Sequence, residues 1–173
     1  MHDAAKEFCK EKANIHPCQG LALDIGGRDV NGQVRDFWPI TGLSWTIIDL
    51  IKATGTEHCD NYIIGDYSVY NFGDTKFDLI LCTEVFEHTD QWYNIIQNSY
   101  RDLKTPGIFI ATCAGPGRAP HNAFDGSALR EGEYYWNIEP EDAASAMMAA
   151  GYEDGEVRYN FGESDLYIIG YKA

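Results

Sequence analysis

Leu21-Ala22-Leu23-Asp24-Ile25-Gly26-Gly27-Arg28-Asp29-Val30-Asn31-Gly32 is the stretch on which the reading of the chain turns. An apolar run over 21–26 that ends in two glycines has the character of a buried strand feeding a tight turn, and the glycines let the backbone approach a ligand without a side chain in the way. Similar runs follow at 45–50 (WTIIDL), 62–64, 77–82 (FDLILC) and 108–113 (IFIATC). Helical patterns alternate with them. Residues 3–13 space Ala5, Phe8, Cys9 and Ala13 for one face behind Asp3, and 91–103 aligns Trp92, Ile95, Ile96, Ser99, Tyr100 and Leu103 ahead of Pro106-Gly107. A third helix, 140–150, opens on proline and two carboxylates, Glu141 and Asp142, and leaves at Gly151. Two last runs, 152–159 and 165–171, joined by NFGES, predict a terminal β-hairpin. Strands alternating with helices and closing on a hairpin predict an open α/β sheet, mostly parallel, with an antiparallel C-terminal hairpin strand and helices on both faces.

Composition bounds the function. The 173 residues suit one domain holding both cofactor and chemistry. Lys and Arg number 13 against 27 Asp and Glu, a net charge of −14 that repels a polyphosphate backbone, so nucleic acid is not the expected partner. Ten of the acids fall in 131–173, beside only Arg158 and Lys172, and read as a solvated face. Cys9, Cys18, Cys59, Cys82 and Cys113 contain no C-x-x-C pair and are odd in number, which fits free thiols in a reducing compartment. No apolar run nears the roughly 18 residues of a membrane span, and the N-terminal residues are too polar for a signal peptide, so the expectation is a cytoplasmic protein without a membrane partner. The long irregular segment 114–137, rich in Gly, Pro and aromatics, has the length of a functional loop.

In such a sheet the ligand lies beyond the carboxyl ends of the strands. The glycine turn is not the G-x-G-x-x-G of nicotinamide enzymes, because position 28 is arginine, and a dehydrogenase is disfavoured. Asp49 ends the next strand 22 positions beyond Gly27, with Leu50 beside it; a carboxylate there accepts both hydroxyls of a ribose or caps the following segment. Gly65-Asp66-Tyr67 follows the third strand and offers an acceptor for an exocyclic amine and a ring to pack on a base, or is a Gly-Asp turn. Phe77-Asp78-Leu79-Ile80-Leu81-Cys82-Thr83-Glu84-Val85-Phe86-Glu87-His88 leads into the helix at 91.

These features together resemble the class I S-adenosylmethionine-dependent methyltransferases, and among them the small type 11 methyltransferase domains. The resemblance runs in order and spacing over about 20–113 and more loosely over 114–173, and its most specific stretches are DIGGRDVNGQVR, FDLILCTEVFEH and LKTPGIFIATCAGPGR. It implies a Rossmann-like, seven-stranded sheet, S-adenosyl-L-methionine as cofactor, S-adenosyl-L-homocysteine as product, and a small-molecule acceptor methylated on O, N or C. It implies further that Asp24, Gly26 and Gly27 sit by the methionine moiety, Asp49 by the ribose and Asp66 by the adenine amine, with Thr83 and Glu84 lining the cleft above the sulfonium. Arg28 and Val30 replace glycines of many relatives, so the methionine end is shaped by Asn31 and Gly32 or by Arg28, and Arg28 either pairs the methionine carboxylate or lies outside the pocket. A positive sulfonium agrees with a pocket of Asp24, Asp49, Asp66 and Glu84.

Candidate bases are His88 and Glu84 after the fourth strand and His121, Tyr134 and Tyr135 on the long loop. For His88 the alternative is a cap on the next helix, and for His121 a solvated loop position; Trp92 and Trp136 either wall the substrate or pack the core and lid. His2, His16, His58, His88 and His121 stand apart in sequence, so no metal is expected, and no G-x-S-x-G motif suggests a nucleophilic serine. The second function class is a methyltransferase-fold binding or regulatory protein without catalysis.

Overall fold

Period-two alternation sorts the strand residues onto two faces. Ala22, Leu79, Leu81, Ile108 and Ile110 go to one core layer, and Leu23, Ile80, Cys82, Phe109 and Ala111 to the other. Because both faces are apolar, the central strands must be covered on both sides. The structure is a computed structural model that describes residues 3–29, 32–38, 42–52 and 59–173. Its strands are β1 (Gly20–Ile25), β2 (Leu43–Asp49), β3 (Asn61–Ile64), β4 (Phe77–Thr83), β5 (Leu103–Ala114), β6 (Asp154–Asn160) and β7 (Asp165–Lys172), and its helices α1 (Asp3–Ile15), α2 (Trp92–Asp102) and α3 (Pro140–Ala150).

The seven strands form one sheet in the order β3-β2-β1-β4-β5-β7-β6. β1 pairs in parallel with β2 and β4, and β4 with β5, while β7 runs antiparallel to both β5 and β6. One face is covered by α1 through Ala5, Phe8, Cys9 and Ala13, with Phe8 stacked on Tyr167 at 4.6 Å. The opposite layer takes Ile95 and Ile96 of α2 and Ala143, Ala146 and Met147 of α3. The expected sheet and its coverage on both faces are therefore present. Proline at the start of α3 and Gly151 at its exit, with φ of 110°, bound that helix where the sequence places them.

Helix α2 ends one residue early and β5 begins at once, because Leu103 pairs with Phe77 of β4 ahead of an irregularity in the ladder; tertiary pairing overrides the helical pattern at that position. Among the ten C-terminal acids Asp165 is no part of a solvated face. It is fully buried and bonded by Arg118, since it begins the strand that lies between β5 and β6. No helix among the described residues is long and apolar enough to cross a membrane. Val30 and Asn31 of the glycine motif, and His2 and His58, lie outside the described residues.

Candidate active site

Chain order reverses between β1 and β4, the point at which an open α/β sheet leaves a crevice beyond its carboxyl ends. A cleft opens there. Asp24, Gly26, Gly27 and Arg28 line it from the end of β1, Asp49 and Leu50 from β2, Asp66 and Tyr67 from β3, Thr83, Glu84 and His88 from β4, and His121 from the long loop. Two glycines are required at its floor for steric reasons. Gly26 has φ of 68°, and a Cβ there would meet Val85 at 2.4 Å; a Cβ on Gly27 would stand 2.4 Å from the Asp24 carboxylate.

Asp24 is 2% exposed and carries a partner that the sequence does not announce. Arg35, on a short 3-10 turn at Arg35–Phe37, forms a buried ion pair with its Oδ2, and the same Nη1 donates to the Gly27 carbonyl at 2.7 Å. Burial pushes the Asp24 carboxyl up and the Arg35 guanidinium pulls it back. Asp24 thus reaches the cleft already neutralised by its partner and fixes the glycine turn.

Asp49 is half-buried and accepts the Ile51 N–H at 3.2 Å, with Leu50 exposed beside it. Burial raises its carboxyl above the ordinary range, against the pull of the Ile51 N–H and the Arg28 charge. Asp66 is exposed and accepts the Ser68 N–H at 2.8 Å. Tyr67 departs from the expectation of a ring offered freely to a base. It lines the cleft but is 3% exposed, packs in the core and donates its hydroxyl to Asp102 of α2 at 3.1 Å, because a phenol in that layer needs a buried acceptor.

After β4 the chain turns through Glu84, whose φ of 56° is unusual for a residue with a side chain. Thr112 donates to its Oε1 at 2.8 Å, and its N–H bonds the Thr112 carbonyl at 2.7 Å. Arg118 stands 3.9 Å from its Oε2. Glu84 is therefore held by the neighbouring strand.

His88 does not cap α2. It lies on the 3-10 turn Phe86–His88, and among the described residues no side chain caps α2, Thr89 accepting only the Gln91 N–H ahead of it. Its ring sits edge-on to His121 at 5.2 Å and to Tyr135 at 5.6 Å. Burial, with the His121 ring and the Arg28 charge, lowers its pKa to about 4, so the imidazole is neutral at pH 7 and only a weak proton acceptor. Proton-detected NMR of the histidine side chains should show His88 still neutral at pH 5.5, below the ordinary histidine value of about 6.5; a midpoint above 6 would overturn this assignment.

The long loop closes over this corner. Asn122, 1% exposed, donates to Asp125, Ser127 and Ala128 and accepts the N–H groups of Phe124 and Asp125. Arg28 reaches across, hydrogen-bonds the Ala123 carbonyl and lies 5.0 Å over the Phe124 ring. Of the alternatives for Arg28, its side chain takes the loop as partner while lining the cleft. Asn122→Ala removes five hydrogen bonds from one side chain and should open 122–128 to limited proteolysis at least several-fold faster with little change in sheet stability. Unchanged cleavage would show the loop is held elsewhere. Tyr134 and Trp136 are exposed, and Trp92 packs against Phe86 and the core, so the tryptophans do not wall the cleft.

Sequence reading missed Arg35, Glu87 and Arg118. Glu87 is fully buried with no side chain hydrogen-bonded to its carboxyl, and Arg118 serves both Asp165 and Glu84. Histidines 88 and 121, isolated in sequence, meet in space with Glu87. The available signal was slight: Glu87 follows the apolar pair Val85-Phe86 and precedes His88.

Residues 42–111 match the family model of a methyltransferase domain. No curated protein matches the chain. Among solved structures, Burkholderia thailandensis 1,6-didemethyltoxoflavin-N1-methyltransferase, with 1,6-didemethyltoxoflavin and S-adenosylhomocysteine bound, is 16% identical at a TM-score of 0.69 over 99% of this chain and 79% of its own. The N-terminal domain of EvdMO1, in the presence of S-adenosylhomocysteine and D-fucose, is 14% identical at 0.69, over 99% and 84%. Haemonchus contortus phosphoethanolamine N-methyltransferase 2, in complex with S-adenosyl-L-methionine, is 15% identical at 0.68 over 98% of this chain, which spans 52% of that protein. Shape agrees along nearly the whole chain and sequence along its middle: the protein has the Rossmann-like fold of these methyltransferase structures, and its residues 42–111 match the methyltransferase domain model.

Proposed function

We propose that this protein transfers a methyl group from S-adenosylmethionine to a small or medium-sized acceptor. The observation that carries the reading is the convergence of Asp49, Asp66 and Glu84 from three different strand ends on one cleft at the sheet's reversal point. Carboxylates suit a cofactor that brings two ribose hydroxyls, an adenine amine and a sulfonium cation. In this reading Asp49 accepts from the ribose, Leu50 packs beside the adenine, Asp66 takes its amine, and the Gly26-Gly27 turn passes close to the methionine moiety. The solved neighbours hold S-adenosylmethionine or its product, which supports the same cofactor here.

The transfer is an in-line displacement. A lone pair of the acceptor attacks the methyl carbon, the carbon–sulfur bond breaks, and sulfur keeps the electron pair as S-adenosylhomocysteine. Much of the rate then comes from holding acceptor and methyl in near-attack geometry, and the acceptor proton leaves to water or to a nearby group. His88, His121 and Glu84 are the candidate groups at the acceptor end.

One observation favours the second reading, a cofactor-binding protein without transfer: His88 is a weak acceptor and Glu84 is engaged by Thr112. Calorimetry with S-adenosylmethionine, followed by incubation with methyl-labelled cofactor and a metabolite extract, separates the two. Binding with a labelled product supports transfer; binding without any labelled product supports the second reading. Absence of binding at millimolar cofactor overturns the transfer reading.

A further inference from the structure

Glu87, His88 and His121 each place one potential ligand atom within 4.8 Å of the other two. The cluster lies at the wall of the cleft, since His88 and His121 line it and Glu87 stands behind them at 0% exposure. A carboxylate buried with two unsatisfied oxygens is costly, because charge leaves water without a partner. Among the described residues no side chain hydrogen-bonds either oxygen, the carboxyl having only the backbone N–H groups of Glu87 and Ala114 beside it, and the phenol oxygen of Tyr135, whose ring lies 5.0 Å from His121, is buried without a partner. Both histidines line the cleft, where an imidazole nitrogen can offer its lone pair to a metal ion.

Their outer contacts fit ligation. The Ala119 carbonyl, which only accepts, lies 3.2 Å from His121 Nδ1, so Nδ1 carries the hydrogen and Nε2 the free lone pair. Backbone acceptors that fix the tautomer and turn of a histidine are the usual outer shell of a metal ligand.

We propose that Glu87, His88 and His121 bind one divalent transition-metal ion of the zinc type, with an open coordination position facing the cleft. Two imidazoles and one carboxylate are the donor set of an open zinc site, and hard, oxygen-seeking magnesium or calcium suits them less. Tetrahedral ligands at about 2.0–2.1 Å from the metal stand about 3.3 Å apart, so closing the site takes side-chain movements of up to about 1.5 Å. On binding the ion Glu87 would release its proton to solvent and ligate as the carboxylate, and Tyr135 would gain a metal-bound water to meet. Resting on the proposed transfer activity, the open position selects acceptors with a hydroxyl or amine lone pair and lowers the pKa of a hydroxyl held there.

The test uses the full chain, stripped with chelator, and titrated with Co2+ followed by its visible absorption, with Zn2+ as competitor and elemental analysis for stoichiometry. One ion per chain and a low-symmetry cobalt spectrum without a sulfur charge-transfer band are expected, with His121→Ala and Glu87→Gln each weakening binding by about 100-fold or more. Glu87→Gln is nearly isosteric and His121 lies on the loop, so far-UV circular dichroism of both should match the parent. A stoichiometry below one, a sulfur-to-cobalt band placing the ion on a cysteine, or parental affinity in both variants overturns the site. S-adenosylmethionine calorimetry on the metal-free protein is read separately: cobalt binding without cofactor binding sinks the transfer reading and leaves the metal site standing, and cofactor binding without cobalt binding does the reverse.

Discussion

Replacing Arg35 with alanine should destabilise the folded protein by about 3–5 kcal/mol, the usual cost of leaving one member of a buried ion pair behind. Side chains of Arg35 and Asp24 are 1% and 3% exposed, so water screens neither. Loss of the guanidinium strands the Asp24 carboxylate and also removes a donor from the Gly27 carbonyl. On a typical total of 5–15 kcal/mol this is a large share, visible as a lowered midpoint in chemical denaturation. The sign of its pH dependence follows from Asp24. Burial already raises that carboxyl, and without Arg35 the folded-state value rises further above the unfolded one. The unfolded chain then ionises first, so the deficit of the variant is largest at neutral pH and narrows as pH falls toward about 4, the unfolded aspartate value. An Arg35→Ala deficit below about 1 kcal/mol, the range of an exposed pair, would show that the pair does not carry the glycine turn.

Asp49→Ala should weaken S-adenosylmethionine binding by about 1–3 kcal/mol, or about 5- to 150-fold, the value of hydrogen bonds to a charged acceptor. Asp49 stands at the end of β2, and among the described residues its carboxylate accepts the Ile51 N–H and has the backbone N–H groups of Leu50 and Arg28 beside it. Isothermal calorimetry gives the affinity and thermal unfolding controls for stability. Because burial raises the Asp49 pKa, the parent protein should lose affinity as pH falls at values above those of an exposed carboxylate, and the alanine variant should lack that dependence. Equal affinity in parent and variant would remove Asp49 from the ribose.

The strands and helices were legible because their physics is local. Apolar runs such as FDLILC, too short for helices and bounded by polar turns, mark a doubly covered sheet, and proline, acids and glycine bracket α3 without outside help. The cleft-lining residues were legible for a related reason: in a parallel sheet every strand end faces the same way, so Asp24, Asp49, Asp66 and Glu84, each at or just past the carboxyl end of a strand, had to converge once the strands were placed. Tyr67 shows where this logic stops, since position at a strand end says nothing of whether a ring turns outward or, as here, inward to Asp102.

Sequence by itself determined the sheet, its coverage on both sides and the set of carboxylates at its open end, because periodicity and turn chemistry act over a few residues. Tertiary structure decided the pairings: Arg35 with Asp24, Arg118 with Asp165 and Glu84, Arg28 with the loop at Ala123, and Glu87 beside two histidines. The physical reason is desolvation. Burying a charge is costly enough to demand a partner, but which partner is set by how the chain folds back across 11, 47, 34 or 95 positions, and no local pattern records that distance.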